Sequence, residues 1–491
     1  MLKIKEKHSA IISFILATVI IFSICSKKDS TSPNEETEKI RKLVILYTND
    51  EHGWMEVSDP YGGAAGMMGL WKENENYSED GPYLILSGGD MWTGPAISTW
   101  TKGESMVDVM NAMDYTAAAI GNHEFDFKID ELKKRITESE FVYLSANIRE
   151  KATGEIPDFA TPSVIIEKNG IKIGIVGITT RTTPNSTFPD HVKDYDFIDY
   201  ETALTGAVPE LRESGAELII VIGHTCRSEN RALCPLAAEL GISIIGGGHC
   251  HQAYIEQLAE VTVMESGSYM RNYAKLDLMF DTEGDTLVSI SGSINENIGG
   301  NPDQDIQTIV DYWKSETDAT LSEVIGYTSQ EIGSRTHGMY NMVTDSWLIS
   351  YPNADISCTN IGGIRQSIPA GEITVGTIVG VLPFENNIIE LELTGSQVIE
   401  QTANLIVGGM TRIGGYNLAN GTPIESGQIY HVLTTDYLYS RSDYNFSIYD
   451  PEPYYTSYLY RQPVIDWITS LNTSAGNSLH QHLDNTARTT P

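Results

Sequence analysis

Short apolar runs recur along the first half of the chain, and each is followed within four residues by Asp, Asn or His. The runs cover residues 43–46, 83–86, 117–120, 218–222 and 242–245. Several of them are rich in β-branched residues and are bounded by glycine. This pattern is typical of short strands that are buried in a sheet.

The polar residues that follow these runs form five clusters. The clusters supply Asp50 and His52, Asp90, Asn122, His224, and finally His249 and His251. In α/β sheets, ligands bind beyond the carboxyl ends of the strands, so we expect these side chains to converge at one rim. Imidazole, carboxylate and amide oxygen together favour divalent Zn, Mn, Fe or Co.

The sequence pattern changes after the last of these clusters. A turn-rich stretch at residues 299–302 precedes residues 304–316, where Ile306, Ile309, Val310 and Trp313 recur at helical spacing. We interpret this segment as an interdomain helix. With 491 residues, of which 41% are hydrophobic, the chain is long enough for two cored domains. The predicted boundaries are 42–298 for the first domain, 299–324 for the helix and linker, and 325–491 for the second domain.

The formal net charge is -34. So acidic a chain lacks the basic surface that a general nucleic-acid binder requires, and we expect no nucleic-acid partner. The same charge would repel an anionic substrate. Bound divalent cations and local arginines would have to reverse the field at the site.

The amino terminus has the layout of a signal peptide. Lys3, Lys5 and Lys7 precede an apolar stretch at residues 10–24, and a polar tether at residues 25–41 follows. A helix over this stretch would span about 22 Å, so a transmembrane anchor is the weaker interpretation. Cys25 ends the stretch in a loose bacterial lipobox, and we treat its lipidation as a hypothesis. Export to the periplasm or the cell surface is expected.

Few cysteines follow Cys25, which excludes a disulfide scaffold. They are Cys226, Cys234, Cys250 and Cys358. A bridge between Cys226 and Cys234 could form, although the sequence does not establish it. Cys250 stands between two candidate ligands, but its side chain is expected to point away from them.

The ordered motifs resemble one family. Asp50-x-His52, Gly88-Gly89-Asp90, Gly121 to Glu124, His224 and His249-x-His251 occur in the order found in the 5'-nucleotidase branch of the calcineurin-like metallophosphoesterases. The resemblance spans residues 43–450. It implies an α/β fold, namely a layered metallophosphoesterase β-sandwich flanked by helices and followed by a smaller α/β C-terminal substrate-binding domain.

The resemblance also implies roles for the side chains of these motifs. Asp90 would bridge two divalent ions, one completed by Asp50, His52 and His251 and the other by Asn122, His224 and His249. His123 and Asp126 correspond to the catalytic dyad of the family, and their spacing could bring the two side chains together in a turn. The remaining histidines, namely His191, His337, His431, His480 and His482, are interpreted as ordinary surface or core residues.

Candidate substrate-binding residues follow from the same resemblance. They are Arg335, Asn360, Gly363, Arg365, Phe384, Asn386 and Phe446. In relatives, arginines hold the phosphate and two aromatic rings clamp the base. The alternative for each is a structural arginine or a core phenylalanine. Asn445 stands where the second aromatic ring is expected, so either Tyr444 or Phe446 would have to complete the clamp.

The favoured function is therefore an exported, metal-dependent phosphohydrolase that cleaves nucleoside 5'-monophosphates with metal-activated water. An alternative is a phosphodiesterase acting on UDP-sugars or 2',3'-cyclic nucleotides. An alternative of another class is a surface-binding lipoprotein without catalysis. The expected partner is a small nucleotide, with membrane contact only through a lipid anchor. The sequence does not indicate an oligomeric state.

Overall fold

The structure is a computed structural model that describes residues 20–23 and 39–489. Most of the predicted signal peptide, and Cys25 with it, lies outside the described residues. Within the described part of the chain, every helix is too short or too polar to cross a membrane.

Two facing sheets form the N-terminal domain. The first has seven strands, in the spatial order Ile20–Ser23, Thr286–Glu296, Asn272–Asp281, Ile40–Thr48, Tyr83–Ser87, Ala117–Ala119 and Val142–Leu144. The second has six, in the order Ala253–Leu258, Val261–Ser266, Ile242–Gly246, Leu218–Gly223, Ile171–Ile178 and Ser163–Lys168. A two-stranded ribbon pairs Ile148–Glu150 with Tyr195–Phe197.

The apolar runs are continuous because both faces of these strands are buried. In Ile40–Thr48, the side chains of Leu43 and Ile45 join the core between the two sheets, whereas Val44 and Leu46 face the outer helices. Strands covered on both faces cannot alternate between apolar and polar residues. All five predicted strands are confirmed, and the carboxyl ends of their parallel ladders deliver the polar clusters.

Helices cover the outer faces of both sheets. Those of the N-terminal domain are Gly63–Asn74, Ala96–Thr99, Glu104–Ala112, Lys128–Glu138, Thr183–Ser186, Pro189–Val192, Tyr200–Glu213 and Arg227–Glu239, with a 3-10 turn at His123–Phe125. The Tyr200–Glu213 and Arg227–Glu239 helices pack on the second sheet, where they bury Leu204 and Leu233.

The helix predicted at residues 304–316 is Gln304–Leu321. The Asp303 side chain caps it by accepting hydrogen bonds from the Asp305 and Ile306 backbone N–H groups. Ile306 and Val310 enter the core of the N-terminal domain. The Trp313 Nε1–H donates to Asp108 at 3.0 Å. The helix is therefore docked on the N-terminal domain along its apolar stripe.

The C-terminal domain is built around a five-stranded mixed sheet. Its spatial order is Ile406–Gly408, Ile356–Thr359, Ile429–Thr435, Asn387–Thr394 and Tyr454–Leu459. Two ribbons add Val324–Thr328 with Gly371–Thr374, and Met410–Thr411 with Asn417–Leu418. The helices are His337–Ser350, Val375–Val381, Gly395–Gln401, Asp436–Ser440, Phe446–Tyr449 and Gln462–Ser470, with 3-10 turns at Ile361–Gly363 and Leu479–Gln481.

One apolar cluster lies on each side of this sheet. A layered sandwich with flanking helices and a smaller α/β domain is the architecture expected from the sequence. The fold class is confirmed.

Candidate active site

Three of the predicted metal ligands form a first set. Asp50, His52 and His251 present ligand atoms that all lie within 4.8 Å of one another. His251 Nε2 is 3.2 Å from Asp50 Oδ1, and His52 Nε2 is 3.8 Å from the same oxygen. Asp50 and His52 are fully buried, so their polar atoms face each other and not solvent.

The second set consists of Asp90, His224 and His249, whose ligand atoms also lie within 4.8 Å of one another. His224 Nε2 is 2.8 Å from Asp90 Oδ2 and 3.2 Å from His249 Nδ1. Asn122 follows the strand that lies beside that of Asp90. Its Oδ1 is buried and, among the described residues, accepts no hydrogen bond. A buried carbonyl oxygen without a donor fits a cation ligand.

Asp90 belongs to the second set and also faces the first. Its Oδ2 is 2.8 Å from His224 Nε2 in one set and 3.9 Å from His52 Nε2 in the other. One carboxylate that faces both groups of imidazoles can be shared between two cations. The donor types and their spacing therefore fit a pair of divalent ions.

The backbone at these residues is strained. Asp50, His52, Asp90, His249 and His251 have φ values of 52°, 47°, 61°, 71° and 54°. Left-handed φ is uncommon outside glycine and persists only where the surroundings enforce it. Five of the seven candidate ligands share this feature, which marks the rim as a site shaped for function.

Hydrogen bonds fix the orientation of the imidazoles. His52 Nδ1 lies 2.9 Å from the Thr93 carbonyl oxygen, and His224 Nδ1 lies 2.9 Å from that of Gly88. Each carbonyl accepts a hydrogen bond from Nδ1–H, so the lone pair of Nε2 is left as the ligand atom.

Glu124 fixes the loop around Asp90. Its carboxylate accepts hydrogen bonds from the backbone N–H groups of Asp90, Met91 and Gly121, at 2.9, 2.7 and 2.6 Å. Burial raises the pKa of Glu124 to about 8, with Asp90 adding to the effect. The Gly-Asn-His-Glu motif contains this glutamate, although the sequence alone did not indicate its role.

His123 and Asp126 lie beside the two ligand sets. His123 Nδ1 is 2.7 Å from Asp126 Oδ2, and the His123 backbone N–H donates to Asp90 Oδ1 at 2.8 Å. Thr187 Oγ1 donates to the other Asp126 oxygen at 2.9 Å. Burial alone would lower the pKa of His123, but the carboxylates of Asp126 and Asp90 outweigh it and raise that pKa. The imidazole is thus suited to carry a positive charge near Asp90.

The C-terminal domain closes over this rim. The Arg365 Nη2 lies 3.3 Å from His52 Nε2, and the Phe384 ring stacks against His123 with ring centroids 5.8 Å apart. Between the domains lies a cleft of about 1360 Å³. Residues of both domains line it, including His52, Asp90, Asn122, His123, Arg365 and Phe384.

Comparisons with known proteins identify the family of the chain. Residues 43–253 match the calcineurin-like phosphoesterase family, and residues 318–403 match the 5'-nucleotidase C-terminal domain. The chain belongs to the 5'-nucleotidase family of calcineurin-like phosphoesterases. It is accordingly a member of a family of phosphoric ester hydrolases that use divalent metals.

Relatives in bacteria share most of the chain. A 5'-nucleotidase of Vibrio cholerae is 26% identical over 80% of this chain and 81% of the relative. Protein UshA of Escherichia coli is 27% identical over 78% of this chain and 79% of the relative. The cell wall protein Lmo0130 of Listeria monocytogenes is 24% identical over 82% of this chain. The chain spans 63% of the length of that Listeria protein.

Solved structures share the fold. The 5'-nucleotidase precursor from Thermus thermophilus has a TM-score of 0.77 at 22% identity, over 91% of this chain and 99% of that one. At this identity the likeness concerns the two-domain architecture.

The structure does not contain the Cys226–Cys234 bridge that the sequence left open. Cys226 pairs with Cys250, with Cα atoms 5.2 Å apart, and Cys234 is a free, buried thiol. Cys234 lies in the Arg227–Glu239 helix, with its thiol facing the Asn230 carbonyl. The partner of Cys250, Cys226, follows the ligand His224 by two residues.

The predicted substrate-binding residues separate into two groups. Asn360, Gly363, Arg365, Phe384 and Asn386 line the cleft of this 5'-nucleotidase family member. Arg335 lies outside it, with Nη1 donating to the Ile361 carbonyl at 2.8 Å.

Phe446 requires a second correction. It is fully buried in the core of the C-terminal domain and stacks there on Tyr444. A ring without exposed surface cannot clamp a base. Phe446 is the first residue of the Phe446–Tyr449 helix, and this helix holds the ring away from the cleft.

Other residues of the cleft were not predicted from the sequence. Tyr437 and Arg441 enter the cleft from the C-terminal domain, and His191 lines it from the N-terminal domain. His191 Nδ1 lies 2.9 Å from the Phe125 carbonyl oxygen, and burial lowers the pKa of this imidazole. Tyr437 and His191 stand outside the family motifs, so no local pattern marked them.

Proposed function

We propose that this protein is an exported phosphohydrolase that holds two divalent ions and releases phosphate from nucleoside 5'-monophosphates. Asp50, His52 and His251 would hold one ion, and Asn122, His224 and His249 the other, with Asp90 shared. Zn, Mn, Fe or Co would suit these donors. Such ions polarise a phosphoryl group and lower the pKa of water.

One observation carries the proposal. The Asp90 carboxylate lies between two groups of imidazoles, and the His123–Asp126 pair opens onto the same cleft. A structural role would not require seven polar side chains, most of them buried, to meet without apolar neighbours between them. A non-catalytic surface lipoprotein is disfavoured for that reason.

The chain's own groups account for charge and orientation. The Asp126 carboxylate accepts a hydrogen bond from His123 Nδ1–H, which leaves Nε2–H to face a phosphoryl oxygen as a hydrogen-bond donor. Thr187 holds Asp126 in that orientation. His123 therefore stabilises negative charge that develops on the phosphoryl oxygens and the leaving group.

Two residues of the C-terminal domain suit a nucleotide. The Arg365 guanidinium reaches the metal-ligand rim and can hold phosphate oxygens through two parallel hydrogen bonds. Phe384 presents an aromatic ring to the cleft, and stacking of a base on such a ring contributes about 1 to 3 kcal/mol. With Phe446 in the core, Tyr437 is the ring that could face the base from the other wall.

Export and surface attachment belong to the same proposal. The signal-peptide layout of the amino terminus supports export, and the name of the Listeria relative, a cell wall protein, is consistent with a surface location. The Cys226–Cys250 disulfide fits an oxidising compartment. Lipidation at Cys25 would be tested by mass spectrometry of the mature amino terminus. A mature chain that begins beyond Cys25 without acyl groups would refute it.

A phosphate-release panel tests the activity. AMP, UMP, UDP-glucose, 2',3'-cyclic AMP and a generic aryl phosphate are compared by kcat/KM, before and after chelation. We expect the nucleoside monophosphates to give the highest kcat/KM and chelation to abolish turnover. A preference for UDP-glucose or the cyclic nucleotide would favour the phosphodiesterase alternative. Two bound metals without turnover of any substrate would refute hydrolysis.

A further inference from the structure

A short loop of the N-terminal domain contacts three active-site side chains. This segment, residues 182–187, contains the one-turn Thr183–Ser186 helix and is called the bridging loop. Thr187 Oγ1 donates to Asp126 Oδ1 at 2.9 Å, and the Ser186 carbonyl accepts a hydrogen bond from Asn122 Nδ2 at 3.1 Å. Thr182 Oγ1 lies 3.4 Å from His249 Nε2. The bridging loop therefore holds one member of the proposed dyad and touches two candidate metal ligands.

On its other side, the bridging loop contacts the C-terminal domain through Asn185. The Asn185 carbonyl oxygen accepts hydrogen bonds from Arg441 Nη1 and, at 3.2 Å, from the Tyr437 hydroxyl. The Asn185 side-chain Oδ1 accepts one from Ser442 Oγ at 3.1 Å. Three donors from one domain thus converge on one residue of the other.

The Arg441 guanidinium is oriented before it reaches Asn185. Nε and Nη2 donate to the two Asp443 oxygens at 2.7 and 2.6 Å, and Nη1 also donates to the Tyr437 hydroxyl at 2.6 Å. Its central carbon lies 5.4 Å from the centre of the Tyr437 ring. Because these contacts already restrict the planar guanidinium, it loses little conformational entropy when it binds Asn185.

The bridging loop is rigid enough to transmit a displacement. The Asn185 N–H donates to the Thr182 carbonyl at 2.8 Å, and the Thr187 N–H donates to the Thr183 carbonyl at 3.1 Å. Thr183 is fully buried, and its hydroxyl donates to the Thr180 carbonyl at 2.7 Å. We therefore expect a displacement of Asn185 to move Ser186 and Thr187 as well.

We propose that Arg441 is a positioning residue that latches the C-terminal domain onto Asn185 and, through the bridging loop, holds Asp126 and Asn122 in place. This inference rests on the proposed function for its catalytic consequence. It also gives a role to Arg441 and Ser442, which supply two of the three donors that reach Asn185.

Hydrogen exchange tests the mechanical part on the full-length protein. In Arg441→Ala we expect the amides of Asn185 and Thr187 to exchange roughly tenfold faster, because their turn loses its docking partner. Arg231→Ala is the matched control, since Arg231 is a half-exposed arginine paired with Glu256 at 3.1 Å in another region. It should leave both amides unchanged. Unchanged exchange in Arg441→Ala would overturn the latch.

A double-mutant cycle tests the catalytic part. Arg441→Ala and Thr187→Val should each lower kcat for AMP roughly tenfold with KM changed less than about twofold. The double variant should be little worse than either single one, because both disturb Asp126 through one path. Ser442→Ala, which removes a single donor, should give a smaller loss in the same direction.

Two results would contradict the catalytic part. If the losses of kcat in the two single variants multiply in the double variant, Arg441 does not act through Asp126. A raised KM at unchanged kcat would make Arg441 a direct substrate ligand. The exchange measurement needs no turnover, so a wild-type protein that hydrolyses no phosphate ester refutes the proposed function while the exchange result still decides the latch.

Discussion

Two hydrogen bonds of His123 support the role that we propose for it. One ring nitrogen is directed to Asp126, and the backbone N–H is directed to Asp90. The residue also lies within 4.8 Å of ligand atoms of His52 and Asp90, so proximity alone would permit a ligand role. The pairing with Asp126 and the raised pKa of the imidazole favour a proton donor over a metal ligand.

Replacement of His123 separates these two roles. His123→Ala should lower kcat by about 100-fold or more, which is typical when general acid–base assistance is lost, and should leave metal content nearly intact. Metal content is measured by elemental analysis of the purified variant. Asp126→Asn is the companion variant and should lower kcat without loss of metal. Loss of metal from His123→Ala would make His123 a ligand and contradict its role as a proton donor.

At the scale of elements, the site depends on strand ends that turn sharply. Ile242–Gly246 leads into the tripeptide His249-Cys250-His251, in which both histidines have left-handed φ. The Asp50 carboxylate accepts the His249 N–H at 2.9 Å. Cys250 is bound to Cys226, at the start of the Arg227–Glu239 helix. A covalent link and a charged hydrogen bond thus hold a strained segment that carries two ligands.

The disulfide should therefore matter for both stability and metal binding. It closes a loop with a sequence separation of 24 residues, for which the chain-entropy model gives about 3 kcal/mol. The double variant Cys226→Ser, Cys250→Ser should lose about that much free energy of unfolding and bind metal more weakly. Denaturant unfolding and metal titration measure the two effects.

The free thiol of Cys234 provides the control for this disulfide. Cys234→Ala should have a small effect on stability and none on metal affinity. A double variant with unchanged metal affinity would show that the disulfide does not support the ligand segment.

At the scale of the whole molecule, charge and domain arrangement act together. The chain carries a net charge of -34, yet Lys102, Lys128 and Arg365 line the cleft. Within the described residues, no carboxylate lies within ion-pair distance of these three cations. The C-terminal domain supplies Arg365, so closure of the two domains brings a positive charge to an otherwise acidic protein. Local cations of this kind can reverse the repulsion of an anionic substrate.

Arg365 is the residue through which this arrangement can be measured. Arg365→Ala should lower kcat/KM for AMP by about 10- to 100-fold, mainly through KM, because a charge-assisted phosphate contact is lost. Arg365→Lys should recover part of that loss, since charge is kept while the two parallel hydrogen bonds are not. Steady-state kinetics at constant metal content check both. An unchanged kcat/KM in Arg365→Ala would place the phosphate elsewhere.

The sequence predicted what depends on local pattern. The five strands and the order of the ligand clusters follow from short apolar runs with a polar residue beyond each, and the linker helix follows from its periodicity. Contacts between distant segments were not predictable. Cys226 is bonded to Cys250 and not to Cys234, which is nearer in sequence. Phe446 lies in the core, whereas Tyr437 lines the cleft. Tertiary packing determines both outcomes, and it cannot be read from local sequence. Asn185 and Thr187 carry no motif at all.

Anomalous X-ray scattering from crystals grown with Mn²⁺ tests whether Asp90 is shared by two cations. We expect two anomalous peaks about 3.5 to 4 Å apart, with Asp90 between them, His52 and His251 beside one, and His224 and His249 beside the other. A single peak, or a pair of peaks without Asp90 between them, would contradict it.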